Sequence, residues 1–464
     1  MKIYYEGKYI KQRLKSNLVK PFSAISKSKL IAKYKFNKSI YDNLIPEFNV
    51  GFADYKIVDD LYAGNIVIRS IYSEELPTVI TFGSETTSNR ESSLLEVMYL
   101  CIDNVIDMGY MFCNCSNLIS VNSNGWNANK VTNMEMMFYG CNNLNTIMMN
   151  NSDYSSVNKI ISALPTKTVD NLGALDIAGV DDVSLVNVND ADNKYWTISS
   201  IYIMSKEYDA TKTDLDNLKL ALKSNKEYIY LDKDMSLEEG TPDTVYFYIN
   251  RPVYIYSNLE NVLDVAIRIT ANNVTLNRLY LTREVRPNSS FNNLTVKNCI
   301  INGSSAMGLH LLVRGEGTVC KNITIENCEF KNNAWHGIAF KGTIPSKNKP
   351  ANGGNGVGYG EYENVVIKDC VAYNNGYVVQ PDGSIKSTHE YSAGINIVDS
   401  CYSMKNCVVE NCVSYGNYSS GFHMESVPVK ENIKIVNCKA YDNGKNSIGY
   451  SYYYYATTMY DDIN

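Results

Sequence analysis

The chain has 464 residues, which leaves room for about three domains. Its hydrophobic content of 45% and charged content of 20% are those of an ordinary folded protein and exclude a disordered chain. Tyrosine is unusually abundant, at 37 residues. A tyrosine ring buries apolar surface while keeping a polar tip, so this surplus favours surfaces that bind sugars, although an AT-rich genome gives the same bias.

Positive charge is concentrated at the N-terminus. Residues 1–40 contain ten lysines and Arg13 against the single acid Glu6, whereas the whole chain has a formal charge of −6. A basic arm on an acidic body predicts docking to an acidic partner, although a solvated terminus has the same composition. No nucleic-acid-binding motif accompanies these lysines, so nucleic acid is not an expected partner.

Targeting signals and cofactor motifs are also not expected. The N-terminal stretch never builds the apolar core of a signal peptide, and no later segment is apolar enough for membrane insertion. The protein is therefore expected to be made in a reducing cytoplasm, where its twelve cysteines stay thiols. The cysteines form no pair of CxxC motifs, so neither a structural zinc nor any other metal or cofactor is predicted.

Residues 1–95 predict a small α/β unit, an N-terminal docking domain that begins with the basic arm. Ile10, Leu14 and Leu18 recur every four residues before Pro21, which predicts a short helix. Strand-like runs follow at 30–36, 66–71 and 77–82.

Residues 96–198 contain an internal repeat. The segments 105–121 (VIDMGYMFCNCSNLISV) and 131–147 (VTNMEMMFYGCNNLNTI) align without a gap at an offset of 26 residues. Such a period is typical of a solenoid whose turns bury their apolar faces on one another. The pattern V-x-x-M-x-x-M-F-x-x-C-x-x-L resembles the BspA-like leucine-rich repeat of bacterial surface proteins and clostridial phage proteins. The resemblance implies a two-repeat leucine-rich-repeat segment, with residues 148–200 as its cap.

The region 199–464 begins with a predicted helix and strand. Leu215, Leu218 and Leu222 fall on one helical face after the cap-like Thr213, and 227–232 follows as a strand. The arrangement resembles the covered open end of the β-helix in pectate-lyase-like enzymes and phage tailspikes.

Six later segments repeat an Asn, an alternating strand, an Asn or Asp, and a Cys. They start at Asn273, Asn293, Asn322, Asn364, Asn406 and Asn432, and Arg278 replaces the second amide in the first segment. The cysteines at 299, 328, 370, 412 and 438 are 29, 42, 42 and 26 residues apart, so two coils carry long insertions.

This repeat predicts a parallel β-helix with identical side chains stacked from coil to coil. Adjacent coils pair about 4.8 Å apart, so a small thiol fits a tight interior corner and amides at the bends bond to one another. A second amide column is expected at Asn333, Asn375, Asn417 and Asn443. The expected fold class is mainly β, with a C-terminal right-handed, pectate-lyase-like β-helix after a small α/β region and the two-repeat solenoid.

Each coil contains a second strand with its own outward side chains. The predicted outward columns are His310, Ala339, Asn396 and His423, and, two residues on, Leu312, Lys341, Val398 and Glu425. Two insertions, 343–360 and 377–391, leave the middle coils and are rich in loop-forming residues. Tyr373, Tyr415 and Tyr441 form a further outward column, for which self-packing or a subunit contact is the alternative to ligand binding.

These features together predict a groove that binds an extended glycan. The candidate ligand-binding residues are Trp335, His336, Lys341, Tyr373, Tyr377, Asn396, Tyr415 and Tyr418. Candidate catalytic residues are Glu425, His423 and Asp399, because glycoside hydrolysis needs two carboxyl groups within about 10 Å of each other. Polygalacturonase signatures and the acidic calcium cluster of pectate lyases are absent, so binding is favoured over cleavage.

The combination of two unlike solenoids with a basic arm resembles phage tail-spike or tail-tip proteins of the clostridial phage type. The resemblance implies a homotrimeric, receptor-binding virion subunit that contacts other tail proteins and binds a host surface polysaccharide or protein receptor. The alternatives are a depolymerase, either a polysaccharide lyase or a glycoside hydrolase, and a bacterial cell-surface adhesin.

Overall fold

The computed structural model describes residues 4–5, 8–9, 29–37, 57–63, 65–73, 76, 82, 94–239, 241–242, 245–345, 358–388, 391–424 and 427–444. The chain divides into two compact units, Met1–Ile198 and Ser199–Asn464. The helix predicted around Leu14 and most of the strand predicted at 77–82 lie outside the described residues.

Unit 1 is built on an eight-stranded mixed sheet. In spatial order its strands are Trp196–Ile198, Gly173–Asp176, Thr146–Met148, Ser120–Asn122, Leu94–Leu100, Lys29–Asn37, Ile66–Ser73 and Ile57–Ala63. The five strands from Trp196–Ile198 to Leu94–Leu100 pair parallel to one another. From Leu94–Leu100 to Ile57–Ala63, each strand pairs antiparallel with the next. A separate antiparallel pair joins Tyr4–Tyr5 to Lys8–Tyr9. The strands predicted at 30–36 and 66–71 are confirmed.

The two sequence repeats of unit 1 stack directly on each other. Val121 pairs with Ile147 in the parallel sheet, at the 26-residue offset read from the sequence. The rings of Phe112 and Phe138 stack with centroids 5.4 Å apart. Because equivalent residues of the two repeats are neighbours in space, the sequence period is the length of one solenoid turn.

Residues after the second repeat extend this stack. The helix Tyr154–Ala163 is capped by Asp153, the 3-10 turn is Val183–Leu185, and a short helix spans Val188–Asn193. The indole of Trp196 lies where a Cβ at Gly173 would be, 2.3 Å from its nearest atom, so only glycine fits there. The Trp196 Nε1–H donates to the carbonyl of Pro165 at 2.8 Å.

Unit 2 opens with the strand Ile201–Ile203, which the short helix Met204–Glu207 and the longer helix Asp214–Lys223 follow. Thr213 caps the longer helix by accepting a hydrogen bond from the Asp216 N–H at 3.1 Å, as predicted. Its buried face, Leu218, Ala221 and Leu222, belongs to the same core as the first coil. The prediction that a helix covers this end of the β-helix core is therefore confirmed.

Three parallel sheets form the coils of unit 2. Sheet A contains Ile201–Ile203, Tyr228–Tyr230, Val253–Tyr256, Val274–Asn277, Leu294–Lys297, Val319–Glu326, Glu361–Lys368, Ser403–Glu410 and Val429–Val436. Sheet B contains Met235–Ser236, Val262–Asp264, Tyr280–Leu281, Ile300–Asn302, Glu329–Lys331, Val371–Tyr373, Val413–Tyr415 and Lys439–Tyr441. Sheet C contains Tyr246–Ile249, Ala266–Ile269, Val285–Ser289, Leu309–Val313, Ile338–Gly342, Ala393–Asp399 and Ser420–Met424.

The coils start earlier than the Asn-Cys segments. The strand Tyr228–Tyr230 pairs with Val253–Tyr256 in sheet A. Val253–Tyr256 in turn pairs with Val274–Asn277, the strand of the first Asn-Cys segment. Between coils, the insertion 377–391 leaves the bend from sheet B to sheet C and forms a hairpin of Tyr377–Val379 and Ile385–Ser387. The insertion 343–360 leaves the bend from sheet C to sheet A. The two insertions therefore begin and end at the two different bends that flank sheet C.

Asparagine ladders run along the bends, as predicted. In the exposed ladder, Asn293, Asn322, Asn364, Asn406 and Asn432 each donate to the amide one coil earlier, at 2.7, 2.9, 3.1, 3.3 and 2.9 Å. In the buried ladder, Asn333, Asn375 and Asn417 each donate to the amide one coil later, at 2.9 Å. The exposed-ladder residues have φ between 51° and 59°, a region that asparagine tolerates better than other side chains.

The cysteine column lies inside the coils. Cys299, Cys328, Cys370, Cys412 and Cys438 are all buried free thiols. A hydrogen bond with Cys370 and burial raise the pKa of Cys412 to about 12. A thiol with such a pKa is protonated at neutral pH, so the column is an apolar spacer, as the sequence predicts.

Candidate ligand-binding site

The outward side chains of sheet C form the candidate site, called here the sheet C face. Alternation along each strand directs every second side chain away from the core. The register places Arg268 beside Arg286, and His310, Ala339, Asn396 and His423 on successive coils. One face of the β-helix therefore carries a row of mostly basic and amide side chains, of which His310, Ala339 and Asn396 are buried.

A bulge in the strand Ala393–Asp399 changes one predicted column. Lys341 pairs with Asp399, because the register shifts by one residue after Ala339. Val398, predicted to point outward, is fully buried in the core. That prediction is wrong, since a β-bulge inserts one extra residue and turns the next side chain to the opposite face. The bulge thus places a carboxylate beside a lysine on the sheet C face.

Asp399 is the centre of a buried polar cluster. Its side chain forms an ion pair with Lys341, and its Oδ2 accepts from Asn396 Nδ2 at 3.1 Å. Its Oδ1 accepts from Ser400 Oγ at 2.7 Å. Burial opposes ionisation, but the charge of Lys341 and the bonds from Lys341 and Ser400 hold the pKa of Asp399 below its ordinary value. Asp399 is therefore a buried carboxylate anion.

His336 lies against the same carboxylate from the preceding bend. It is 2% exposed, and its Nδ1 accepts from the Ala393 N–H at 2.9 Å. A neutral ring in this position carries its proton on Nε2, which lies 3.9 Å from Asp399 Oδ2. His336 therefore orients the strand and the carboxylate.

A second polar group occupies the earlier coils. His310 Nδ1 lies 2.9 Å from Glu284 Oε1, and Arg286 Nη1 lies 3.6 Å from Glu284 Oε2. Burial lowers the pKa of His310 despite the bond to Glu284, and the charges of Arg286 and Lys341 lower it further. The imidazole is therefore neutral near pH 7, with Nδ1–H donating to the carboxylate and Nε2 left as an acceptor.

Several buried polar atoms on the sheet C face have no hydrogen-bond partner within the chain. They are Arg268 Nη1, Arg286 Nε, Asn288 Oδ1, His310 Nε2 and Asn396 Oδ1. Buried polar groups in folded proteins are nearly always bonded, because an unpaired one costs about 1–3 kcal/mol. Ordered water or a polar ligand would have to supply the missing partners of these five atoms.

The other candidate residues lie elsewhere. Tyr373, Tyr415 and Tyr441 stack on sheet B, with centroids 4.9 and 5.0 Å apart and planes within 4° of parallel. Tyr377 and Tyr418 are largely buried at the bend before sheet C, with ring centroids 6.3 Å apart. The Tyr column and the sheet C face are therefore different surfaces and do not form one aromatic-floored groove.

Three further candidates are His423, Glu425 and Trp335. His423 is half-buried at the far end of the outward row. Glu425, predicted as its catalytic partner, lies outside the described residues. Trp335 stands at the bend before the sheet C strand Ile338–Gly342, with 37% of its surface exposed.

Sequence reasoning missed Glu284 and Arg286. Residues 284–289 were not assigned to a sheet C strand because they lack the Gly-apolar pattern of the later coils. The signal was nevertheless present, because VRPNS can be aligned with LHLLV at a 24-residue offset, the register observed between Val285 and Leu309.

No metal site or membrane helix is found in the described part of the chain. These residues contain no group of three or more His, Cys, Asp or Glu side chains placed to hold a metal ion. Every helix within the described ranges is too short or too polar to cross a membrane.

Comparison with protein families agrees with the coil architecture. Residues 284–461 match a family model described as "Right handed beta helix region". The C-terminal part of this chain is a right-handed parallel β-helix. The predicted mainly β fold class with that β-helix is thereby confirmed. Residues 92–171, which include both repeats of unit 1, match a model described as "Mycoplasma protein of unknown function, DUF285". No curated protein matches the sequence.

Three solved structures are similar to the chain. The A-module of a mannuronan C-5 epimerase from Azotobacter vinelandii is 13% identical with a TM-score of 0.30, over 53% of this chain and 78% of that one. The Agl-KA catalytic domain is 14% identical with a TM-score of 0.23, over 54% and 60%. The catalytic domain of a GH87 alpha-1,3-glucanase variant in complex with tetrasaccharides is 13% identical with a TM-score of 0.15, over 50% and 58%.

Proposed function

We propose that the protein attaches to a bacterial surface by binding a glycan along the sheet C face of its β-helix. The five unpartnered buried polar atoms on that face support the proposal most directly. Sugar hydroxyls both donate and accept hydrogen bonds, so a glycan satisfies amide, guanidinium and imidazole groups together. Coils about 4.8 Å apart present these groups in a row, which suits a polymer lying along the stack.

The biological setting we propose is a phage tail spike or tail tip. Two unlike solenoids follow a basic N-terminal region, the repeat in unit 1 resembles a BspA-like leucine-rich repeat, and the β-helix is the larger unit. In this proposal the protein is made in the host cytoplasm and becomes part of the virion. Residues 1–95 dock to other tail or virion proteins, and three copies of the chain assemble. A bacterial surface adhesin is the alternative setting for the same binding face.

Polysaccharide cleavage is the second candidate function, favoured by the buried charge cluster around Asp399. Two features make it less well supported than binding. The Asp399 carboxylate has a lowered pKa and is a weak base, and the His336 Nδ1 lone pair is occupied by the Ala393 N–H. Glu284 and Asp399 lie on coils three apart, about 14 Å along the stack, which exceeds the spacing of glycosidase carboxyl pairs.

The test is a cosedimentation assay with host cells, purified cell wall and capsule. The wild type is expected to bind one of these fractions. The double variant Arg268→Ala/Asn288→Ala, which removes two of the unpartnered groups, is expected to bind at least tenfold more weakly. The matched control Lys405→Ala/Lys434→Ala changes two side chains on sheet A and is expected to bind normally. Equal binding by all three proteins overturns the proposal that sheet C is the binding face.

The same preparations decide between binding and cleavage. New reducing ends or unsaturated sugars are measured after prolonged incubation, with Asp399→Asn as the inactive comparison. We expect no product from either protein. Product formation by the wild type that disappears in Asp399→Asn replaces the binding proposal with a depolymerase.

A further inference from the structure

A cleft of about 250 Å³ opens at the edge of the sheet C face, on the coils that precede the long insertions. Its polar lining, called here the floor, includes Glu284, Arg286 and His310, and its apolar lining, called the walls, includes Ala306, Met307 and Trp335. The space has the size of about one sugar ring, and it combines a polar floor with apolar walls, as small-molecule sites do.

The floor offers one acceptor to a ligand. His310 is 7% exposed, and its Nδ1–H is used by Glu284 at 2.9 Å. Its Nε2 has no partner within the chain, and burial lowers the pKa of the ring, which keeps Nε2 unprotonated. A ligand atom that meets this nitrogen must therefore donate a hydrogen bond, as a hydroxyl does.

Around the cleft, the three guanidinium groups of Arg268, Arg283 and Arg286 outnumber the two carboxylates of Asp264 and Glu284. Arg283 is paired with Asp264 at 2.9 Å, and Glu284 is shared between His310 and Arg286. Arg268 pairs with Arg286 in the sheet, and burial together with the charge of Arg286 lowers the pKa of Arg268. Two guanidinium groups on adjacent coils repel each other, and Arg286 Nε has no partner within the chain. Glu284 balances one of these two charges, and a ligand carboxylate, which matches the geometry of a guanidinium, would balance the other.

One wall supplies an aromatic surface. Trp335 is 37% exposed at the mouth of the cleft, next to the side chains of Ala306 and Met307. An indole presents a flat apolar face, on which the C–H groups of a pyranose ring pack while its hydroxyls remain in the polar part of the site.

We infer that this cleft binds the carboxylated terminal sugar of an acidic glycan, such as a uronate or another acidic pyranose. The carboxylate is held by Arg286, a ring hydroxyl donates to His310 Nε2, and the sugar ring packs on Trp335. The inference rests on the proposed glycan-binding function and adds the chemical class of the ligand. It also sets the direction of the glycan, whose acidic end lies in the cleft and whose remaining sugars follow the sheet C face toward Asn396.

The experiment compares acidic oligosaccharides with their carboxyl-reduced forms by calorimetric titration. The panel contains oligosaccharides ending in a uronate or in a sialic acid, and each has a counterpart in which the carboxylate is reduced to an alcohol. The wild type is expected to bind one acidic probe at least tenfold more tightly than its reduced form. Arg286→Met keeps the apolar stem of the side chain and is expected to lose this preference without losing affinity for the reduced form.

Two more variants complete the design. Trp335→Ala is expected to weaken acidic and reduced forms alike. Arg314→Met is the matched control, because Arg314 is exposed and outside the lining of the cleft. Circular dichroism melting confirms that each variant is folded. Acidic-probe binding that is unchanged in Arg286→Met overturns the inference. If the wild type binds host glycan without preferring the carboxylate, the inference is overturned but the proposed function stands. If the wild type binds no glycan and no host fraction, the proposed function is overturned as well.

Discussion

Asp399 and Lys341 form the ion pair on which the middle of the sheet C face is organised. The carboxylate is 3% exposed and is held by three different side chains, whereas the lysine side chain is 22% exposed. Removing one partner of such a pair leaves the other without compensation for its lost hydration. The pair therefore matters more for local structure than an exposed ion pair of the same length.

We expect Asp399→Asn to lower the free energy of unfolding by about 2 kcal/mol, below the range for fully buried pairs because Lys341 reaches solvent. Urea denaturation of the wild type and the variant measures the difference. The double variant Lys341→Met/Asp399→Asn removes both charges and is expected to recover part of the loss. A single variant as stable as the wild type contradicts this account of the cluster.

His310 makes stability depend on pH. Its folded-state pKa is lowered from 6.5 by burial, so below pH 6.5 the unfolded chain binds the proton more readily than the folded one. The stability that the neutral His310 ring contributes is complete above pH 6.5, and it is lost as the pH falls through the folded-state pKa. Glu284, Arg286 and Lys341 are the charged groups that act on the ring.

The expected result is a steeper loss of wild-type stability between pH 6.5 and 5 than that of His310→Gln. Chemical denaturation at closely spaced pH values gives both curves, and the difference between them isolates the histidine from the carboxyl groups that titrate lower. Parallel curves mean that the ring titrates normally in the folded protein.

The sequence predicts the outward side chains residue by residue only where the strands are regular. His310, Asn396 and His423 occupy the predicted column, because a two-residue alternation fixes their direction. The position of Asp399 beside Lys341 depends on a bulge, which shifts the register by one and has no local sequence signature here. The burial of the cluster depends on neighbouring coils that are distant in sequence, so spacing alone did not reveal it.

At the scale of elements, the ladders distinguish exposed from buried asparagines. Asn375 donates to Asn417 Oδ1 at 2.9 Å and to the Phe330 carbonyl at 3.1 Å, and its Oδ1 accepts from Asn333. In the exposed bends an aspartate is accommodated, because Asp369 accepts from Asn411 at 3.2 Å. The same chemical change should therefore have unequal effects in the two ladders.

We predict that Asn375→Asp destabilises the protein by several kcal/mol at pH 7, since it places a carboxylate oxygen against two acceptors in the interior. Asn364→Asp, the matched change in the exposed ladder, is expected to stay within about 0.5 kcal/mol of the wild type. Thermal or urea unfolding of both variants tests the contrast. Similar losses in the two variants would show that burial is not what distinguishes the ladders.

The ladders are also the elements that the sequence predicted best. The Asn-Cys spacing, 29, 42, 42 and 26 residues, equals the separations of the bonded amides, because every coil returns to the same bend. The two earliest coils were not recognised from the repeat, since they use Tyr228, Tyr254 and Tyr256 in sheet A and have no Asn-Cys step. The grouping of Tyr373 with the sheet C residues failed because coil position does not tell which of three sheets a residue faces.

For the whole molecule, the twelve cysteines give a measure of intact folding. All are free and buried, and burial raises the pKa of Cys407 to about 12. The thiolate is the reactive form, so the native protein is expected to show no fast reaction with a thiol reagent, and the unfolded protein to show twelve thiols. Ser384→Cys, on the exposed hairpin, is the positive control with one fast thiol. Fast reaction of wild-type thiols under native conditions contradicts this packing.

The proposed tail assembly predicts three chains per particle. Mass photometry of the purified protein measures the particle mass directly against the 52.1 kDa chain. A particle of three chains at nanomolar concentration is expected, because a tail spike must remain assembled when dilute. A stable monomer under these conditions contradicts the trimeric tail setting and leaves glycan binding to be judged by its own tests.

The buried amide ladder closes over 42 residues with the same bond length as over 26, because the Asn375–Asn417 and Asn417–Asn443 bonds both measure 2.9 Å. The chain between two bends can therefore change in length without altering the coils above and below it. Segments 343–360 and 377–391 are the places where the chain departs from the basic coil length. Replacing one of these segments by another of different length should therefore alter the border of the proposed binding face while the coils stay the same.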